Sequence, residues 1–268
     1  MSERIVRFRL LVSLLALTAI ASASSFDKPL RTQTVDLGPS RYSMHTHGKV
    51  TCYFFPHFMV KEVDLGQKGA DKLAIVPIAN GVAAPCTAAR AKSEMIVRPH
   101  DWSGYFKGVK NNLVFFRADD GLNGGMGFAI YDAKTGKKIF EDVALGQIEF
   151  VEHPGKLVAM NYTRVIDAEC ILPKEQAACW ERIAKKIALS AGMLDCKKGY
   201  EESARNLAKG RCQAQSTDTP ECLEKKLKLA SEQTARAPSV IAYPVEVTLV
   251  PHPDIKALPG SVKCWPSE

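Results

Sequence analysis

Met44-His45-Thr46-His47 sets two imidazoles on alternate residues. On an extended strand His45 and His47 share a face, about 6.5–7 Å apart along the chain, and can grip one metal ion. The thioether of Met44 beside them suits copper, whereas imidazoles alone also suit zinc. No third ligand is identifiable, because His57, His100, His153 and His252 are scattered. Solvent-facing histidines ahead of a strand explain the same residues, so a metal site here depends on a third ligand arriving in space.

Asp119-Asp120-Gly121-Leu122-Asn123-Gly124-Gly125 offers a second chemistry. Asp119 and Asn123 fall on the first and fifth positions of a calcium-loop template, with Gly124 at its turn position. Gly121 and Ile130 occupy positions where the template wants oxygen ligands, so the loop is half filled, and a Gly-rich turn between two strands accounts for it equally. His100-Asp101-Trp102-Ser103 gathers a base, an acid and a hydroxyl. Neighbours in one turn rarely converge as a hydrolytic triad must. No nucleophile elbow, zinc-protease helix or phosphate-binding glycine loop is present. No bound cofactor is expected, with calcium, copper or zinc as the alternatives. Asn161-Tyr162-Thr163 matches a glycosylation sequon. Lys185, Lys186, Lys197 and Lys198 enrich the helical segment, as a solvated face or as a docking surface for an acidic partner.

Residues 1–23 read as a secretory signal peptide. Arg4, Arg7 and Arg9 form a basic start, Leu10 to Ala21 an apolar core, and Ala21-Ser22-Ala23 the small-residue cleavage signature. The apolar run is shorter than the ~20 residues of a membrane-spanning helix. All eight cysteines lie beyond it, so an oxidising compartment, periplasmic or extracellular, makes them bridges. Cys52 and Cys86 are alone in the first half and should pair, and Cys212 with Cys222 would clip a helical hairpin. Cys170, Cys179, Cys196 and Cys264 then form two bridges of open connectivity, with Cys264 tied to Cys170 or Cys196 as one way to anchor the C-terminus. A formal charge of +7 is mildly basic, yet no Lys/Arg run interleaved with aromatics points to nucleic acid. No second stretch of membrane-spanning length follows, so an integral membrane protein is not expected.

These residues need elements to hold them. Lys49 to Val63 is apolar on both parities, as in a strand buried on both faces, with Pro56 marking a bulge or edge. Leu73–Ile78, Glu94–Val97, Leu113–Ala118 and Met126–Tyr131 are further short strands in an antiparallel meander. Asp132 to Lys137 should close a hairpin, with Gly136 supplying positive φ. After a strand at Leu157–Ile166 the period turns helical: one helix from Glu175 to near Gly192, a second over Lys198–Lys209 stopped by Gly210, and a third over Thr219–Gln233. Val240 to Val250 alternates as the last long strand, with Pro244 arguing for an edge or for one missing ladder bond. The expectation is an α+β fold. An antiparallel β-rich body, sandwich or barrel-like, carries a disulfide-stapled helical insertion at about residues 171–236, within a single domain over residues 24–268.

Cys179-Trp180 opening a helix, together with the terminal Cys264-Trp265-Pro266, resembles uncharacterised secreted proteins of bacteria over the last hundred or so residues. Gly108 to Asp142 resembles a single propeller-type blade in its strand–hairpin–strand rhythm. The first resemblance implies an envelope address and no activity. The expected function is a non-enzymatic binding or interaction module for an unknown ligand, with a protein or an acidic envelope component as partner. An envelope hydrolase with dispersed residues and a metal-binding envelope protein are the alternatives.

Overall fold

Alternating apolar residues build two antiparallel sheets. The computed structural model describes residues 25–97, 103–151, 158–187, 194–215, 219–249 and 252–267; the leader at residues 1–23, together with His100, Asp101, His153 and Gly192, lies outside the described residues. The first sheet is a meander of β1 (Arg31–Pro39), β2 (His47–Phe54), β3 (Phe58–Asp64), β4 (Lys72–Pro77) and β5 (Met95–Val97), in sequence order. The second contains β6 (Gly104–Lys110), β7 (Leu113–Leu122), β8 (Gly125–Asp132), β9 (Lys138–Val151) and β10 (Ala159–Asp167). After the helices α1 (Leu172–Ile187), α2 (Lys197–Ala214) and α3 (Pro220–Thr234), the chain returns as β11 (Ser239–Thr248), β12 (Asp254–Ala257) and β13 (Lys263–Pro266). β11 pairs antiparallel with β10, from Ala159 opposite Thr248 to Asp167 opposite Val240, so the helices are inserted between adjacent strands.

The sheets face each other as a sandwich and stay open, so the barrel alternative is set aside. Phe58, Val60 and Ile75 of the first sheet share a core with Val114, Phe116 and Ala129 of the second. The opposite face of β2 and β3 is also buried: Cys52, Met59 and Val63 pack beneath the segment that carries Cys86. That two-sided burial is why both parities of Lys49 to Val63 are apolar. Pro56 is neither bulge nor edge, because the run is two strands joined by a turn in which the Phe55 amide donates to the Phe58 carbonyl at 2.9 Å.

The other face of the second sheet receives the helices. Trp180, Ile183 and Ile187 of α1 join Met160, Tyr162 and Ile241 in one core. α2 and α3 pack through Ala204, Ala208 and Ala230, and Thr219 caps α3 by accepting the Cys222 amide at 3.3 Å. Gly210 does not stop α2, which continues to Ala214 because Ala208 and Cys212 on either side of it remain buried. Pro244 sits within β11 where β13 pairing ends at Ala242 and β12 pairing begins at Val245, so its missing N–H falls in a gap in the ladder. The disulfides are Cys52–Cys86, Cys170–Cys179, Cys196–Cys264 and Cys212–Cys222. The Gly108–Asp142 stretch forms the end of β6, β7, β8 and the start of β9 within the open second sheet.

Two glycines of α2 should respond oppositely to alanine. A Cβ on Gly199 would lie 1.8 Å from the Cys264 carbonyl oxygen, whereas one on Gly210 would meet nothing within 4 Å. Gly199→Ala should therefore destabilise by about 2–3 kcal/mol, because main chain must move. Gly210→Ala should stabilise by up to ~1 kcal/mol through helix propensity. Urea unfolding of both variants checks the pair, and equal effects would remove the claim that α2 rests directly on β13.

Candidate functional site

The residues singled out from the sequence that fall within the described part of the chain each have a place. His47 opens β2 and its Nδ1 lies 2.8 Å from an Asp36 carboxylate oxygen on β1. That hydrogen bond, with the Gly38 amide, holds the Asp36 carboxyl below its usual range. His45 is not on the strand. Ser40 donates its amide to the Thr46 carbonyl at 2.9 Å and Ser43 accepts the His45 amide on its hydroxyl at 3.3 Å, so residues 43–46 turn and both imidazoles remain exposed. Among the described residues no group of three His, Cys, Asp or Glu side chains is placed to hold a metal ion.

Asp119 and Asn123 are not brought to one point either. β7 runs through Asp119 and Asp120 to Leu122, and the reversal itself is the pair Asn123-Gly124, with φ of 52° and 79°. Two positive φ values in succession are the signature of a tight hairpin turn that Asn-Gly favours. Asn123 is buried, donates Nδ2 to Asp167 at 2.7 Å, and offers its carbonyl to Trp265 Nε1 at 3.2 Å. Its side chain is thus a tie between the β7–β8 turn and the end of β10, while Asp120 pairs with Lys68. Ser103 donates to the Lys68 carbonyl at 3.2 Å. Lys197 and Lys198 face Glu201 and Glu202 one turn on, as a solvated helix face does.

A charged cluster that the sequence reading missed ties three strands together. Asp142 of β9 lies 2.8 Å from Arg164 Nε, Arg164 Nη1 donates to the Tyr243 hydroxyl at 3.2 Å, and the Tyr162 hydroxyl donates to Asp142. Burial and the Asp142 charge push the Tyr162 phenol far above its ordinary range, so it stays a proton donor to the carboxylate. None of the four lines the main cleft, and their role is to satisfy charge within the sheet.

The main cleft measures ≈ 1040 Å³ and opens at one end of the sandwich. The turn between β2 and β3 contributes His57, the β6–β7 turn Asn111 and Asn112, the β8–β9 hairpin Lys134 to Lys138, and the segment after β11 His252. Phe58, Leu113, Val158 and Leu249 make an apolar floor. No family model, no curated protein and no solved structure matches this chain. What the cleft can bind therefore follows from its own chemistry.

The hairpin sets that chemistry. Asp132 accepts both the amide and the hydroxyl of Thr135 at 2.7 Å on one carboxylate oxygen, and Gly136 takes φ 66° against Met95. The turn expected at Asp132 to Lys137 is formed in this way. Its aspartate is occupied by its own backbone, and Lys134 and Lys137 project as exposed cations with no carboxylate partner among the described residues. Lys138 pairs with Glu141. The lining thus combines the ammonium groups of Lys134 and Lys137, the Asp132 carboxylate and two imidazoles with amide donors and acceptors, over an apolar floor.

Proposed function

We propose that this chain is a secreted or periplasmic, non-enzymatic binding module whose main cleft takes an anionic ligand. The observation that carries the reading is the hairpin of residues 132–138: Asp132 turns one carboxylate oxygen to the Thr135 amide and hydroxyl, and Lys134 and Lys137, with no carboxylate partner among the described residues, outweigh its single negative charge at the cleft. An acidic envelope component fits that surface. The address is supported by four disulfides, which suit an oxidising compartment, and by the resemblance of the C-terminal third to secreted bacterial proteins. Among the described residues no helix is long and apolar enough to cross a membrane.

Calorimetric titration with inorganic tripolyphosphate and with oligogalacturonate, against neutral maltotetraose, tests the reading. Binding of at least one anion, weakening with added salt, is expected. Two exposed charges at up to ~1 kcal/mol each make Lys134→Ala/Lys137→Ala weaken it about tenfold. Equal binding of the neutral sugar, or no change in the double variant, would sink the proposal.

A further inference from the structure

A second pocket, ≈ 340 Å³, lies on the helix-bearing face of the second sheet, at the end away from β10 and β11. Its apolar body is aromatic. Phe26 stands edge-on to Phe115 at 5.3 Å and to Phe150 at 5.0 Å, and Phe128 and Met126 continue the surface. Phe26 reaches this place because Asp27 donates its amide to the Val109 carbonyl at 2.7 Å and accepts the Asn111 amide at 2.8 Å. Gly108 leaves room for the ring, since a Cβ there would lie 2.4 Å from it.

Three departures from sheet register meet at this pocket. β6 is irregular between Phe106 and Gly108, which places Lys107 at the rim. β7 is irregular between Arg117 and Gly121, beginning at the lining residue Arg117. On β9, Leu145 pairs with Thr163 and Glu149 with Asn161, so residues 146–148 bulge out and form a wall, with Gly146 at φ 84°. Bulges re-aim side chains and recur beside functional sites. Here all three supply lining residues. The lining holds two cations, Lys107 and Arg117, and no carboxylate. Arg117 is half-buried and has no carboxylate partner among the described residues.

We propose that this pocket binds a small amphiphilic carboxylate, its apolar part against the partly exposed Phe26, Met126 and Ile148 and its charged head on the Arg117 guanidinium. A fork of guanidinium donors matches a carboxylate in a two-bond geometry that an ammonium cannot offer. A few hundred cubic ångströms lined by aromatics, with one or two placed polar groups, is the build of a small-molecule site. The site is separate from the main cleft, with which it shares no lining residue.

The test is calorimetric titration of the full secreted chain with decanoate and with 3-phenylpropionate, using decanol as the neutral control. Saturable binding of at least one acid is expected, with decanol at least tenfold weaker. Arg117→Gln should weaken acid binding about tenfold or more while leaving the melting temperature and tripolyphosphate binding unchanged. Arg117→Lys should recover only part of the loss. Failure of both acids to bind, equal binding of decanol, or an unchanged affinity in Arg117→Gln overturns the proposal. Loss of acid binding in Lys134→Ala/Lys137→Ala, with Arg117→Gln unaffected, overturns it in favour of the main cleft.

Discussion

Glu94→Ala is expected to lower the free energy of unfolding by about 3–5 kcal/mol, the penalty of stranding a buried charge. Lys61 projects from the middle of β3 into the core beneath the Cys86 segment and is 1% exposed. Its ammonium pairs with Glu94 and donates to the Ala89 carbonyl at 2.7 Å. The same Glu94 carboxylate accepts the Ala91 amide at 2.9 Å and faces Lys72 at 3.2 Å. Removing it leaves two lysines facing each other with nothing between them, one of them fully buried. Lys61→Met alone should cost less, because Lys72 still compensates Glu94 and the methionine fills the stem's volume. A double-mutant cycle of Lys61→Met and Glu94→Gln, read by urea unfolding, should show strong coupling, and additive losses would refute the pair as a unit.

The same group fixes a pH dependence. Burial alone would raise the Glu94 carboxyl, but the Lys61 ammonium, the Ala91 amide and Lys72 outweigh it and hold it below its ordinary value of 4.5. A depressed carboxyl binds fewer protons folded than unfolded, so its contribution is present above the unfolded value and is lost as pH falls through the folded one. Glu62, buried between the sheets and accepting the Phe106 amide at 2.7 Å, behaves oppositely. Burial pushes it up, so it withdraws stability as pH rises above 4.5 toward its folded value. Acid unfolding of Glu94→Gln should accordingly be shallower than that of the parent below pH 4.5, the ordinary value of this carboxyl. An unchanged slope would remove Glu94 as its source.

Local chemistry made much of this fold readable. Asp132 to Gly136 could be assigned to a hairpin because an Asx turn and a positive φ are written in single residues. Thr219-Pro220 announced a helix start because both residues satisfy the first turn by themselves. Cys52 pairs with Cys86 because the first half of the chain offers no other cysteine, and Cys212 with Cys222 because they bracket one helix–helix loop. What was hidden depends on tertiary context. β13 has only four residues, too few for its alternation to stand out in the sequence, and it exists because β11 offers it an edge. Gly210 looked like a stop, yet packing of Ala208 and Cys212 carried the helix through it. His45/His47 and Asp119/Asn123 matched spacing templates, but ligand spacing assumes a backbone shape, and turns at Ser43 and Asn123 supplied a different one. The two cavities draw their linings from segments far apart in sequence, and no local window contains either.

The other large effect should come from the bridge of longest reach. Opening Cys196–Cys264 by the paired change Cys196→Ser/Cys264→Ser is expected to lower stability by about 4 kcal/mol, against about 2.5 kcal/mol for Cys170→Ser/Cys179→Ser. The ordering follows from the chain freed in the unfolded state: the first bridge spans 68 residues and the second only 9. The native side reinforces it. Cys264 lies on β13, which adds to β11 from Ser239 to Ala242, and its carbonyl rests against Gly199 of α2. Its neighbour Trp265 donates to the Asn123 carbonyl, so one short strand joins the helices, the last long strand and the β7–β8 turn. Without the bridge, β13 keeps four register pairs, the Trp265 hydrogen bond and its contact with Gly199, and amide exchange at Lys263 to Trp265 and along the facing stretch of β11 should accelerate first. Cys170–Cys179, by contrast, closes a loop around the start of α1 that the Ser239 amide already pins to the Cys170 carbonyl at 2.8 Å. Equal losses for the two paired variants would refute the loop-length ordering, and unaltered exchange along β11 would mean that β13 is held by its strand pairing and packing alone, with the covalent tie acting on the unfolded chain.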